Sequence, residues 1–232
     1  MYLLILGSPR SGTTLLASMI GSHTEVAMLI EDKYFAIRKL TSKKILGNKL
    51  CLPNQIDLNK RATSFSLLLK KRFGIESYPT SKYNIEDYLN LQDLKIINIV
   101  RDYNDVIYSN IKRGEGREQR KIERDKAVQW WSKAVEIMFE LTQKHSEKVI
   151  TVSYEDLVTE PEKILRKISD YIGIEFQQKM LEGYKFTKFY PNETGIDKTR
   201  AFKTVSMKNK YPSLGQKAEE AYQNLIKLKI NP

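Results

Sequence analysis

The residues with the clearest chemical potential lie at the start of the chain. Gly7 and Gly12 flank an arginine, Arg10, and are followed by two hydroxyl side chains, Thr13 and Thr14. This spacing fits the phosphate-loop pattern G-x-x-x-x-G-K-[ST], except that a threonine stands where the pattern has its lysine. The cation that would reach the end of a triphosphate is therefore missing, and Arg10 supplies a positive charge inside the loop instead.

The elements around this loop support an anion site. The apolar run from Tyr2 to Leu6 predicts a buried strand, and an apolar pattern of helical spacing begins at Leu15. Where a loop turns into a helix, unpaired N–H groups and the helix dipole favour an anion of phosphate type. The alternative is a purely structural strand-to-helix turn that contains a satisfied arginine.

A second apolar run, Val26 to Ile30, predicts a parallel strand buried on both faces, and it ends at Glu31. Ligands of open α/β sheets gather beyond the carboxyl ends of the strands. Glu31 is therefore a candidate general base on the same edge as the loop. A helix-capping or salt-bridged surface carboxylate is the competing interpretation.

A third buried strand, Lys95 to Val100, carries Arg101 at its carboxyl end, and Ser109 follows in the next helix. Ser109 lies about two helical turns along, so it can share a ligand with Arg101 only if the arginine folds back across the helix. Farther on, Lys148 to Val152 predicts a strand that leads into Tyr154.

The remaining elements are predicted in outline. Trp130 and Trp131 lie in a long amphipathic helix and are interpreted as core residues. The segment from Tyr34 to Arg72 is predicted to be helical in pieces, with breaks at Gly47-Asn48 and Pro53-Asn54. The other predicted elements are a short strand at 75–80 and helices at 85–94, 123–144, 161–172 and 213–228.

Composition limits the classes of function. The chain has 232 residues, one cysteine, Cys51, and two histidines, His23 and His145, so we expect no intrachain disulfide and no metal site built from His or Cys ligands. Met1 leads directly into a strand and no apolar run is long enough to span a membrane, which predicts a cytoplasmic protein.

The net charge of +11 favours anionic partners. Basic residues concentrate in two segments. Residues 38–72 contain ten basic residues and one acidic residue, and residues 198–210 contain five basic residues and no acidic residue. These runs can equally be solvated surface. We expect no nucleic-acid partner, because zinc-finger spacing, an RRM-like aromatic motif and a basic recognition helix are all missing.

Together these stretches resemble the sulfotransferases that use 3′-phosphoadenosine-5′-phosphosulfate (PAPS) as donor. Residues 7–14 resemble the family's 5′-phosphosulfate loop, residues 99–102 with Ser109 resemble its 3′-phosphate motif, and residues 152–173 are similar to its later strand and helix. The resemblance covers 1–40 and 95–176 well. It implies a P-loop-NTPase-like three-layer α/β domain, with a mainly parallel sheet flanked by helices. We expect one domain over 1–232, in which 38–83 and 187–232 are variable acceptor-side and C-terminal segments.

The resemblance also implies roles for individual residues. Arg10 would act near the sulfate and its bridging oxygen, Arg101 and Ser109 would hold the 3′-phosphate, and Tyr154 would approach the adenine. No Arg-Lys-Gly segment is found near the C-terminus, so the basic residues there, Lys198, Arg200 and Lys203, are assigned only by charge. The predicted donor-binding residues are Pro9, Arg10, Ser11, Gly12, Thr13, Thr14, Arg101, Ser109, Tyr154, Lys198 and Arg200.

Residues 31–35, Glu-Asp-Lys-Tyr-Phe, are similar to the glutamate and aromatic pair of the branches that sulfate carbohydrates or protein tyrosines. In those branches the glutamate is the base, which here implies Glu31, since neither His23 nor His145 is placed for that role. The hypothesis is sulfuryl transfer from PAPS to a hydroxyl, or less readily an amine, of a small-molecule or carbohydrate acceptor that could be anionic. The product would be adenosine 3′,5′-bisphosphate (PAP). The alternatives are a small-molecule P-loop kinase and a non-catalytic anion-binding module.

Overall fold

A five-stranded sheet forms the centre of the computed structural model, which describes residues 1–32, 42–58, 83–114, 124–186 and 215–231. All its pairings are parallel, in the order β2-β3-β1-β6-β7. The strands are β1 (Tyr2–Gly7), β2 (Val26–Ile30), β3 (Ile45–Cys51), β6 (Leu94–Val100) and β7 (Val149–Ser153). Because the strands are parallel, their carboxyl ends all meet at one edge of the sheet.

Helices cover both faces of this sheet and confirm the predicted three-layer α/β class. Successive side chains of β1 alternate between the layers, with Leu3 and Ile5 in one core and Leu4 and Leu6 in the other. The helices are α1 (Thr13–Gly21), α2 (Glu86–Leu89), α3 (Tyr103–Gly114), α4 (Arg124–Lys144), α5 (Tyr154–Thr159), α6 (Pro161–Ile172) and α7 (Gln216–Leu228). A 3₁₀ segment covers Gln178–Phe186.

Most elements that the sequence predicted are present with small shifts of their ends. Helix α4 matches the predicted long amphipathic helix. Trp131 is buried in the core as expected, whereas Trp130 is only partly buried. Helix α6 begins at Pro161 and is followed by Gly173 with φ +69°, which is the left-handed stop that glycine favours. The helix predicted at 85–94 covers only Glu86–Leu89, and Leu94 is already the first residue of β6.

The prediction for the segment around Gly47 was wrong. Gly47-Asn48 is not a break between helices but the middle of β3, which pairs with β1 on one side and β2 on the other. A Cβ atom on Gly47 would lie 2.5 Å from the Met28 methyl carbon, so the absence of a side chain at Gly47 lets the Met28 side chain from β2 pack against this strand. Backbone pairing on both sides thus outweighs the weak local strand propensity of this stretch.

Two short strands, β4 (Ile56–Asp57) and β5 (Tyr83–Asn84), pair separately from the main sheet. The strand predicted at 75–80 lies outside the described residues. Among the helices that the structure describes, none is both long enough and apolar enough to cross a bilayer.

Candidate active site

Every strand of the main sheet ends close to a residue with chemical potential. Arg10 follows β1, Glu31 follows β2, Arg101 follows β6 and Tyr154 follows β7. The interior strand β3, between β1 and β2, adds Lys49 and Cys51 at its carboxyl end. The parallel sheet therefore gathers at one edge the residues that the sequence placed in four separate stretches.

The loop after β1 is held by its own hydrogen bonds. The backbone N–H and the hydroxyl of Ser11 both donate to the Ser8 carbonyl, at 3.1 and 2.7 Å. Just after β3, the Leu52 N–H donates to the Gly7 carbonyl at 2.9 Å. The loop thus delivers the chain to the first turn of α1, where the N–H groups have no intrahelical acceptor and can bind an anion.

Gly12 packs this loop against Tyr154, the first residue of α5. It caps α1 with φ +95°, and a Cβ atom at this position would overlap the Tyr154 ring. The same ring is 7% exposed and lies 4.1 Å, measured from its centroid, below the guanidinium carbon of Arg101. Tyr154 therefore packs between the loop and Arg101, and its predicted approach to adenine stays a prediction.

Replacing Gly12 with alanine is expected to destabilise the fold by about 2–4 kcal/mol, because the left-handed conformation and the clash with Tyr154 act together. Gly173→Ala is the matched control, since Gly173 also has positive φ but nothing lies within 4 Å of its added Cβ. Urea unfolding measures both free energies. Equal losses in the two variants would contradict the contribution of the clash.

The structure brings the two predicted phosphate motifs together. Arg10 Nε donates to Ser109 Oγ at 2.9 Å, and Arg101 Nη1 donates to the Arg10 carbonyl at 3.2 Å. Asn110 on α3 also donates to the Pro9 carbonyl at 3.3 Å. Helix α3 therefore contacts the loop through Ser109 and Asn110, and Ser109 is connected to the site by its hydrogen bond with Arg10.

Arg10 has a left-handed backbone, with φ +73°. Such a conformation is uncommon for a residue other than glycine and concentrates at functional sites. Three non-glycine residues of the described chain share it, and they include both predicted catalytic residues, Arg10 and Glu31, the latter at φ +58°.

Buried groups fix the turn that carries Arg101. Arg101 Nη2 lies 3.5 Å from Asp105 Oδ2, and Trp131 Nε1 donates to the Arg101 carbonyl at 3.2 Å. Glu155 accepts from the Asp102 N–H at 3.1 Å. Burial raises the pKa of Glu155, and the hydrogen bond from Asp102 and the charge of Arg101 oppose that rise. These contacts set the direction of the guanidinium before any ligand is bound.

Glu31 lies in an ion pair, as its competing interpretation from the sequence allowed, but the partner Lys49 was not predicted. Lys49 Nζ lies 2.5 Å from Glu31 Oε1 and donates to Cys51 Sγ at 3.2 Å. The Lys49 side chain is 2% exposed and that of Glu31 is 43% exposed. Burial opposes the charge of Lys49, yet Cys51 and Glu31 outweigh it, so the pKa of Lys49 is raised.

Cys51 completes this cluster between Lys49 and the loop. Its Sγ lies 4.0 Å from Thr13 Oγ1, which connects β3 to the start of α1. Burial raises the pKa of the thiol, although Lys49 counteracts it. The sequence-based interpretation missed Lys49 and Cys51 as site residues. The apolar residues Leu50 and Leu52 on either side of Cys51 were the available signal that this segment is a strand.

The other predicted donor-binding residues divide into two groups. Ser11 and Thr13 are buried within the loop and the first turn of α1, and Thr14 is partly buried beside them. Lys198 and Arg200 lie outside the described residues, as does Lys203. In the part of the chain that the structure describes, no cluster of three His, Cys, Asp or Glu side chains could hold a metal ion.

A parallel sheet whose first strand ends in a glycine-bearing loop at a helix N-terminus defines the class of P-loop-like α/β proteins. Residues 89–178, which include Arg101, Ser109 and Tyr154, match the model of the Sulfotransferase family. The family-level resemblance that the motifs indicated is thereby confirmed. The match supports sulfuryl transfer as the class of activity.

Solved structures agree on the fold. The sulfotransferase domain from the curacin biosynthetic pathway superposes with a TM-score of 0.64 at 20% identity, covering 99% of this chain and 98% of that one. The sulfotransferase domain from the Synechococcus PCC 7002 olefin synthase has a TM-score of 0.64 at 18% identity, covering 100% and 95%. A mouse sulfotransferase complexed with PAP has a TM-score of 0.52 at 15% identity, covering 96% and 81%.

Proposed function

We propose that this protein transfers a sulfuryl group from PAPS to a hydroxyl of a small-molecule or carbohydrate acceptor and releases PAP. The observation that carries the proposal is the hydrogen bond from Arg101 to the Arg10 carbonyl, which sets the two phosphate motifs side by side. A nucleotide with phosphates at both its 3′ and 5′ positions needs two cationic sites that are close enough for one molecule to contact both. The PAP complex of the mouse protein with the same fold supports this donor.

The residues present fit that donor. Arg101 Nε is buried and has no hydrogen-bond partner among the described residues, as suits a guanidinium that also serves a ligand. Arg101 and Ser109 would hold the 3′-phosphate, while Arg10 and the first turn of α1 would hold the 5′-phosphosulfate. Gly12, with φ +95°, lets the backbone turn from the loop into α1 in a conformation that other residues adopt only at a cost in free energy.

PAPS supplies an activated sulfuryl group whose bond to the 5′-phosphate breaks as the bond to the acceptor oxygen forms. Glu31 accepts the proton of the acceptor hydroxyl, and the adjacent Lys49 favours the ionised carboxylate that this step requires. Arg10 stabilises the negative charge that gathers on the departing 5′-phosphate. Alignment and charge stabilisation are the main demands, as in phosphoryl transfer.

Donor identity is tested by a thermal shift. At a concentration of about 100 times its Kd, PAP is expected to add about 2.7 kcal/mol of stability. For a chain of this size that corresponds to a rise in Tm of about 5–10 °C. Mg·ATP should give a much smaller shift, because the loop lacks the P-loop lysine. A larger shift with Mg·ATP would instead favour the kinase alternative.

Catalysis is tested by incubating the protein with ³⁵S-labelled PAPS and a broad panel of acceptors. The expected result is labelled product together with released PAP. Tight PAP binding without transfer to any acceptor or to water would favour the non-catalytic anion-binding module.

A further inference from the structure

The backbone at Glu31 needs support from its surroundings. Glu31 follows β2, which is an edge strand of the main sheet, and its φ of +58° is one that L-residues adopt at a cost in free energy. A carboxylate that must meet an acceptor hydroxyl also needs a fixed position. The contacts that hold this turn therefore bear directly on the proposed reaction.

The Asn48 side chain provides one such contact. Its Oδ1 accepts from the Asp32 N–H at 3.3 Å, and its Nδ2 donates to the Asp32 carbonyl at 3.0 Å. The amide thus binds both polar groups of the residue that follows Glu31, much as a paired strand would. Nδ2 also donates to the Tyr88 hydroxyl at 3.0 Å, which fixes the amide against α2.

The next residue of β3 acts on the carboxylate itself. Adjacent strand residues point to opposite faces, so Asn48 and Lys49 approach the Glu31 turn from different sides. Lys49 binds the Glu31 carboxylate through Nζ, and its carbonyl accepts from the Glu31 N–H at 2.9 Å. The backbone after Glu31 and the side chain of Glu31 are therefore held by two consecutive residues of one interior strand, β3.

We infer that Asn48 is a positioning residue for the proposed base: its amide holds the Asp32 peptide and thereby fixes where the Glu31 carboxylate meets the acceptor. This inference rests on the proposed function, since it concerns the geometry of the transfer step. Asn48 itself touches neither donor nor acceptor in this scheme. Its loss should slow the transfer step and leave donor binding intact.

The test compares Asn48→Ala with the wild-type chain. Misplacing a reacting group by about 1 Å costs about 10²-fold, so we expect kcat to fall about 10- to 100-fold. The Kd for PAP, measured by calorimetry, should change less than about two-fold. Turnover is followed with ³⁵S-labelled PAPS, first with water as the acceptor and then with any acceptor found in the panel.

Asn98→Ala is the control for the loss of a hydrogen-bonded asparagine inside a strand, and Asn98 is the more buried of the two residues. Asn98 lies in β6, and its Nδ2 donates to the Met138 carbonyl and to Thr142 Oγ1, both at 3.2 Å. This variant should lose stability but keep kcat.

Two milder variants serve even if Asn48→Ala fails to fold: Asn48→Asp keeps the acceptor for the Asp32 N–H, and Tyr88→Phe removes one hydroxyl. Both should lower kcat by about 2- to 10-fold.

The outcomes separate the two proposals. A wild-type chain that neither binds PAP nor transfers label would refute the proposed function itself. A wild-type chain that transfers label, with Asn48→Ala or its milder substitutes no slower than Asn98→Ala, would overturn the positioning role alone. Weakened PAP binding with unchanged kcat would also overturn it.

Discussion

The Glu31→Gln variant is expected to turn over about 10²–10⁴-fold more slowly than the wild-type chain at saturating PAPS, which is the usual contribution of a general base. Glutamine keeps the shape of the side chain but cannot accept the acceptor proton. Since Glu31 lies beyond β2 and the phosphate motifs follow β1 and β6, the Kd for PAP should stay within about two-fold. Steady-state assays with labelled PAPS measure turnover, and calorimetry measures PAP binding.

Two controls separate chemistry from stability. Glu147→Gln removes an exposed carboxylate just before β7, at the opposite edge of the sheet, and should leave turnover unchanged. Glu31→Gln also leaves the buried Lys49 without this carboxylate, which costs stability. Adding Lys49→Met removes that uncompensated charge, so the double variant should regain stability but not turnover. Normal turnover with weakened PAP binding would move Glu31 from the acceptor side to the donor side.

The sequence predicted Glu31 as a candidate base because strand β2 could be recognised from its unbroken apolar run. Its partners could not be predicted in the same way. Lys49 and Asn48 are polar residues inside a strand, and each is satisfied by a group on the separate segment around Glu31. The local pattern of apolar and polar residues predicts a loop or an exposed surface at such positions. The hydrogen bonds that satisfy these polar side chains form only when β3 pairs within the sheet.

The error at Gly47-Asn48 has the same origin. Glycine followed by asparagine is typical of a turn, and the flanking lysines make the segment resemble an exposed surface. The parallel sheet needs a strand between β1 and β2, however, and Gly47 is the residue that leaves room for Met28 there. Pairing on both sides decided the structure of this segment, and no window of local sequence contains that information.

The donor-side motifs were easier to predict because each lies at a strand-to-helix boundary. Gly12 lies in the loop after the apolar run of β1, and Arg101 directly follows the mainly apolar β6, so both strands could be assigned from the sequence. The fold then supplied what spacing left open: Ser109 reaches the site through Arg10, and Tyr154 lies beneath Arg101. The assignment of Lys198 and Arg200 to the donor stays a prediction.

Replacing Arg101 with methionine is expected to weaken PAP binding by about 10²-fold, because hydrogen bonds to charged groups contribute about 1.5–3 kcal/mol each. The loss should depend on the 3′-phosphate. Adenosine 5′-phosphate lacks that group, so its affinity should change less than about two-fold in the same variant. Calorimetry with both nucleotides on both proteins isolates the coupling between Arg101 and the 3′-phosphate.

The controls address the surroundings of Arg101. Asp105 is buried beside it, so the Arg101→Met/Asp105→Asn variant shows how much of any loss comes from removing the cation next to this buried carboxylate. Arg166→Met is the matched arginine, since its guanidinium carbon lies 4.3 Å from the Phe176 ring centroid, as that of Arg101 lies over Tyr154. Arg166→Met should bind both nucleotides normally. Equal losses for PAP and adenosine 5′-phosphate in Arg101→Met would mean that the residue supports the fold of the loop rather than the 3′-phosphate, and the proposed donor would lose its main support.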